Sequence, residues 1–261
     1  MTGSQAELKP VRVLITGASQ GIGAAIAKVF SKEFSKEFSR ELSKEFSTAR
    51  PEVELVLVAR QREKLLQVAQ DCARPEQVHC YACDVSDAEQ VAALGKRVQA
   101  ELGTVDVLIN NAGAWLGMPV VDMPVAEFDR IVAANLRSVY LMCHQFLPGM
   151  IAQSRGDIFN MASTAAYEGY AGVSAYCAAK HAVLGFSKAL REEVREHNIR
   201  VSCVSPGPTW SPSWDGSGVD KAQLMPAEDV ARAFLNIYQM SANVVTEDIV
   251  LRPVVGHISS N

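Results

Sequence analysis

The sequence predicts a doubly wound α/β domain, a parallel sheet of about seven strands with helices on both faces. Two observations carry this. Apolar runs of strand length alternate with segments of helical period along the chain, and such alternation builds parallel βαβ units. The runs are also almost continuously Val, Ile and Leu, so both faces of the sheet must be covered. With 261 residues and 48% hydrophobic composition the chain can bury a large core. Sequence motifs run through the chain continuously, which makes 1–261 a single domain.

The strands read, in order, at VRVLITG from Val11, VELVLVAR from Val53, VHCYACDV from Val78, VDVLINNAG from Val105, GDIFNMAS from Gly156, IRVSCVSPG from Ile199 and EDIVLRP from Glu247. One segment departs from the pattern. Between the first helix and the second strand, 31–50 is an insertion built on FSKEFSKEFSRELSKEFS. It predicts a helix, with Glu33/Lys36, Glu37/Arg40 and Glu41/Lys44 as i,i+3 pairs worth a few tenths of a kcal/mol each. Phe30, Phe34, Phe38, Leu42 and Phe46 form a stripe that drifts about 40° per repeat. The first reading is a lengthened helix, and the alternative is an arm that meets another subunit.

Composition excludes several classes. Net charge is -4 and charged residues are 21% of the chain, with no basic run dense enough for a phosphate backbone, so no nucleic-acid partner is expected. No stretch approaches the roughly 18 apolar residues of a membrane span, and MTGSQAELKP lacks the apolar core of a signal peptide. A cytoplasmic protein is expected. Cys72, Cys80, Cys83, Cys143, Cys177 and Cys203 are scattered, which suits reduced thiols. The Cys80/Cys83 pair has CxxC spacing, but it lies in a strand-like run without a second pair, so no metal site is expected.

The first strand is followed by Thr16-Gly17-Ala18-Ser19-Gln20-Gly21-Ile22-Gly23 and then a helix. Glycines in this place let the backbone approach a pyrophosphate, and the helix N-terminus supplies N–H donors. Between a clear strand and a clear helix the loop predicts dinucleotide binding through Gly17, Ser19, Gln20, Gly21, Ile22 and Gly23. The second strand ends at Arg60, and no acid occurs before Glu63. An acid there would bind a ribose 2′-hydroxyl, whereas a basic residue accommodates a 2′-phosphate, so NADP(H) is preferred and NAD(H) is the alternative. Asp84 and Val85 follow the third strand, where Asp84 can accept from the adenine amino group. Ser86 and Asp87 are expected to cap the next helix. Asn111, Ala112 and Gly113 follow the fourth strand, where small residues let the nicotinamide half pass.

Tyr176 and Lys180 stand at i and i+4 in SAYCAAKHAVLGFSKAL, which places both on one helix face. An ammonium near a phenol favours phenolate and predicts a lowered pKa for Tyr176, making it a general acid for carbonyl reduction or a base for alcohol oxidation. Ser163, just past the fifth strand, can hydrogen-bond the reacting oxygen. Asn135 is a polar residue in an apolar helix. Such a residue commonly binds local backbone, and with the other three it becomes a candidate for holding a proton-relay water.

TGASQGIG, NNAG, Asn135, Ser163, YCAAK and Ser205-Pro206-Gly207 resemble, in order and spacing, the motifs of the short-chain dehydrogenase/reductase family, from about Val11 to Val255. The resemblance implies a Rossmann-type doubly wound sheet and hydride transfer between nicotinamide C4 and a carbonyl or alcohol. It makes Tyr176 the acid/base, Lys180 its tuner and ribose anchor, Ser163 the substrate orienter and Asn135 the relay residue. It adds Pro206, Gly207 and Thr209 to the cofactor contacts. It also implies a homodimer or homotetramer, because the helices holding Asn135 and Tyr176 usually pair across subunits. Gln20 stands where NADP-using members often carry a basic residue, so the phosphate preference rests on Arg60.

The covering loop, 207–226, carries Trp210 and Trp214, which can stack on a flat heterocycle or close the pocket. Trp115 and Met118 are expected on the opposite wall. The ending MPAEDVARAFLNIY…VVTEDIVLRPVVGHI is similar to that of bacterial sepiapterin reductases and of a wider set of small reductases. A small ketone or pterin is the expected substrate, and a 3-oxoacyl-acyl-carrier-protein reductase is the alternative. Glu192, Asp215 and Asp220 near the expected mouth would repel an acidic carrier. A non-catalytic NADP-sensing binding protein is the alternative of another class, and it would be expected to have lost Tyr176 or Lys180.

Overall fold

A computed structural model describes residues 9–34 and 52–256. Seven parallel strands form one sheet: β1 Val11–Thr16, β2 Val53–Ala59, β3 Val78–Ala82, β4 Val107–Asn110, β5 Gly156–Met161, β6 Ile199–Pro206 and β7 Asp248–Leu251. Their order is β3-β2-β1-β4-β5-β6-β7. All seven strand-like runs are strands. The order reverses between β1 and β4, and the crevice outside the strand ends at such a switch point is where ligands bind in open α/β sheets.

Successive strand residues feed two cores, which is why the strands read as unbroken apolar runs. Val13, Ile15, Leu55, Leu57, Ile109 and Phe159 face one core. It is covered by α1 Gly21–Glu33, α2 Arg62–Gln70 and, after the further helices, α7 Ala227–Tyr238. Leu14, Val56, Leu108, Ile158 and Val201 face the other. Over it lie α3 Ala88–Glu101, α5 Ser138–Ala152 and α6 Ser174–Val194, with α4 Val125–Val132 leading into α5 through a π turn at Ala133–Arg137.

The insertion enters as an extension of α1, whose last residue is Glu33 with Phe34 as its cap. The first two members of the Phe stripe, Phe30 and Phe34, are buried. Both rings meet Tyr238 at the end of α7, at 6.0 and 6.1 Å between centroids. The rest of the expected repeat helix, and with it the arm, lies outside the described residues. Among the described residues no helix is long and apolar enough to cross a membrane, and the six thiols are free.

Candidate active site

Thr16, at the end of β1, organises the cofactor side. Its hydroxyl accepts the N–H groups of Asn111 and Ala112, each at 3.0 Å, and donates to the Ile109 carbonyl at 3.4 Å. Asn111 Nδ2 returns a bond to the Thr16 carbonyl at 2.9 Å. The glycine loop and the turn after β4 are thereby locked together. Gly17 has φ +65°, and a Cβ on it would come within 2.9 Å of Ala112 Cα, so both sterics and backbone require glycine. Gln20 is the N-cap of α1 and makes no side-chain capping bond. The first-turn amides therefore meet the crevice without a capping side chain, and this cradle fits a pyrophosphate. Ser19, Gly21 and Ile22 are half-buried around it, with Gln20 exposed and Gly23 buried.

Arg60 is exposed just past β2 and makes no ion pair among the described residues. Asp84 is half-buried, and its Oδ1 accepts from the Ser86 N–H at 3.0 Å and the Ser86 hydroxyl at 2.7 Å. Val85, beside it, is half-buried. The expected shared cap on α3 is corrected: Asp87 alone caps it, accepting from Glu89 and Gln90 N–H at 2.9 and 3.1 Å. Ser86 is engaged with Asp84 instead, which leaves the capping position to the next residue.

Asn135 lies in the π turn and is fully buried. Its Nδ2 donates to the Ala114 carbonyl at 2.7 Å and the Ile131 carbonyl at 2.9 Å. It is thus a local backbone binder, and it also joins the helix to the turn after β4. A Cβ on Gly113 would lie 2.7 Å from Asn135 Oδ1 and 3.7 Å from Lys180 Nζ. Any side chain at 113 would invade the space between those two groups.

Ser163 follows β5 and caps a short 3-10 turn, its Oγ accepting the Ala165 N–H at 3.2 Å. Its own hydrogen is left to give, and its hydrogen bond to Tyr176 favours phenolate. On α6 the expected helical turn separates Tyr176 from Lys180. Lys180 Nζ stands 5.6 Å from the Tyr176 ring centroid and donates to the Met161 carbonyl at 2.8 Å.

The expected direction of the phenol shift is corrected. Burial pushes Tyr176 above the ordinary tyrosine value, against the opposing bond from Ser163. Burial likewise lowers Lys180 from 10.5 to about 8. Both neutral forms gain because each charge is desolvated, and Lys180 is not among the groups that shift the phenol.

Beyond β6, Gly207 N–H donates to the Leu251 carbonyl at 2.7 Å, and the Thr209 hydroxyl donates to the Gly207 carbonyl at 2.9 Å. Pro206 is buried at the end of β6. The covering loop is pinned at its base, with Trp210 N–H on the Met225 carbonyl and Met225 N–H on that of Pro208. Ser211 Cβ lies 3.1 Å from where a Cβ on Gly21 would stand, so the loop begins against the glycine cradle. Trp210 is half-buried beneath the Lys221 ammonium, 4.4 Å from its ring centroid, and Trp214 is half-buried in a 3-10 turn. Trp115 is 67% exposed and lies over Gly117. Nearby, Met118 N–H donates to the Gly172 carbonyl at 2.6 Å, joining the loops that follow β4 and precede α6.

Thr16 and Met161 went unremarked in the sequence. Thr16 stood inside the glycine motif, but its hydroxyl role depends on a turn far along the chain. Met161 acts through its carbonyl, which no residue type announces.

A family model for short chain dehydrogenase matches residues 11–220. The chain belongs to the short-chain dehydrogenase/reductase family. Its members include a sepiapterin reductase from Chlorobaculum tepidum that is 30% identical to this chain, over 95% of this chain and 98% of that protein. An uncharacterized oxidoreductase from Staphylococcus epidermidis is 26% identical over 95% of this chain and all of its own length. Among solved structures, a metagenomic short-chain oxidoreductase in complex with NADP superposes with a TM-score of 0.76 and 32% identity, covering 95% of this chain and 99% of that one. This short-chain dehydrogenase/reductase is accordingly an oxidoreductase on a Rossmann-type sheet.

Proposed function

We propose that this protein reduces the carbonyl of a small ketone or a pterin with NADPH, and that Tyr176 supplies the proton. The observation that carries the reading is the grouping of Tyr176, Ser163 and Lys180 at the ends of β5 and α6, across the switch point from the uncapped glycine cradle. A bound NADPH would supply hydride to the carbonyl carbon. Ser163, its acceptor side held by Ala165 N–H, directs its hydrogen toward the oxygen that gains charge. Tyr176, kept protonated by burial, gives its Oη proton to that oxygen. The phenolate left behind is stabilised by the Ser163 hydroxyl and by a protonated Lys180. Asn135, whose Oδ1 faces the same small space as Lys180 Nζ, is the relay residue of this reading.

The solved relative holds NADP, and the exposed Arg60 with no acid at the end of β2 favours the phosphorylated cofactor here. Asp84 and Val85 would flank the adenine, and Asn111, Ala112, Pro206, Gly207 and Thr209 the nicotinamide half. Trp210 and Trp214 make the covering side suited to a flat ring, and the sepiapterin reductase among the relatives agrees with that choice. We place the enzyme in the cytosol as a homo-oligomer. Val125, Phe128 and Tyr140 expose apolar surface on α4 and α5, and burying such a patch against a second copy offsets its hydration cost. The test is initial-rate assay of small diketones, a pterin ketone and an acetoacetyl thioester, each with NADPH and NADH. A pterin or diketone turned over with NADPH is the expected result. Turnover of the thioester far above both would replace the substrate assignment, and cofactor binding with no turnover of any ketone would replace the reaction.

A further inference from the structure

Behind the catalytic pair, a row of polar side chains crosses the interior of the sheet. Asn110 on β4 pairs in register with Asn160 on β5. Asn110 Nδ2 donates to Asn160 Oδ1 at 2.9 Å, and Asn160 Nδ2 donates to Ser187 Oγ on α6 at 2.9 Å. Ser187 in turn donates to the Val183 carbonyl at 2.7 Å. Asn160 and Ser187 have 0% exposure and Asn110 has 2%.

Two asparagines in an apolar core are costly unless every group is paired, at about 1–3 kcal/mol for each orphaned group. Asn110 Oδ1 is buried without a hydrogen-bond partner. An apolar pair would avoid that cost, so the row is an expensive way to fill space. It does something apolar side chains cannot, because hydrophobic contact is non-directional and a hydrogen bond fixes both distance and angle.

What it fixes is helix α6. Lys180 is held to the Met161 carbonyl, and Ser187, two turns further along, is held to Asn160, the residue before Met161. The two attachments lie about 10 Å apart along the helix axis, and together they set its rotation and its slide against β5. Val183, Leu184, Leu190 and Val194, the apolar contacts of the same helix, leave both free within the limits of packing. Asn110 extends the link to the residue beside Asn111, which locks the glycine loop. We propose that Asn160 is a positioning residue: acting through Ser187, it holds the Tyr176/Lys180 helix in register with the cofactor-facing ends of β4 and β5. This rests on reading Tyr176 as the proton donor.

The test compares Ser187→Ala, Asn160→Ala and the double variant with the parent, and runs Tyr176→Phe alongside. Three readouts are taken: kcat per folded molecule with NADPH and a ketone, NADPH dissociation constant by fluorescence, and hydrogen exchange along α6. Each single variant is expected to lose about tenfold in kcat, since small misplacements of reacting groups are costly. The double variant is expected to lose no more than the worse single, because both substitutions break the same Asn160–Ser187 bond. NADPH affinity is expected to stay within about threefold, and amides 176–184 to exchange faster than in the parent. A lowered melting temperature with unchanged kcat and unchanged α6 exchange would make the row a stability feature only and overturn the proposal. So would additive losses in the double variant. Turnover surviving in Tyr176→Phe would overturn the proton-donor reading and the proposal with it. Loss in Tyr176→Phe but not in Ser187→Ala would overturn the positioning role alone.

Discussion

The two sides of the crevice are built from different materials. The cofactor side, around β1 and the turn after β4, is backbone: glycines, free helix amides and a threonine hydroxyl that accepts two N–H groups. The chemistry side, around β5 and α6, is side chains drawn away from water, with Ser163 and Lys180 buried and Tyr176 half-buried, and desolvation shifts Tyr176 up and Lys180 down to about 8. The difference teaches that one half is specified by where chain can go, and the other by which polar groups can afford to be buried. Substitutions should therefore separate binding from turnover.

The largest separation is expected for Tyr176→Phe. Turnover should fall by about 10³-fold or more, since general acid catalysis of this kind contributes about 10²–10⁴, while the NADPH dissociation constant stays near the parent value by fluorescence titration. Gly113→Ala strikes the seam between the halves, because its Cβ would lie 2.7 Å from Asn135 Oδ1. A loss of about 10² in kcat/KM is expected there. On the cofactor side alone, Arg60→Ala should raise KM for NADPH about tenfold, as loss of a charged hydrogen bond of about 1.4 kcal/mol would, with NADH kinetics nearly unchanged.

The smallest expected effect is on stability. Burial lowers Lys180 to about 8 in the folded chain against 10.5 unfolded. Between those values the unfolded state binds more protons, so this group's contribution to stability rises with pH through that window and is most unfavourable below about 8. Lys180→Met should therefore raise the melting temperature at pH 7 by a few degrees, on the order of 1 kcal/mol after loss of the bond to Met161. That gain should shrink as pH rises from about 8 to 10.5, which thermal melts across pH can follow. A parent and variant with parallel pH profiles would mean that Lys180 is not desolvated as described.

The seven strands were legible because their apolar runs serve two cores, a demand that leaves a mark on nearly every residue, as Leu14 and Ile15 illustrate by facing opposite sides. The glycine loop and the Tyr176/Lys180 spacing were legible because each motif is local. Interactions across the fold left weaker marks. Asn160 sits in GDIFNMAS as one polar residue in an apolar run, and its partner Ser187 is distant in sequence with no periodic relation to it. The π turn at Asn135 has no compositional signature. The phenol shift was misjudged because proximity to an ammonium is visible in spacing, whereas burial is a property of the assembled core.

The most direct test of the central claim uses NADPH deuterated at nicotinamide C4, on either face, with a ketone substrate and product analysis by mass spectrometry. One deuterium on the carbinol carbon for each cofactor oxidised, from one face only, is the predicted result. Product without label from either cofactor, or NADPH bound and never oxidised in the presence of ketone, would contradict it.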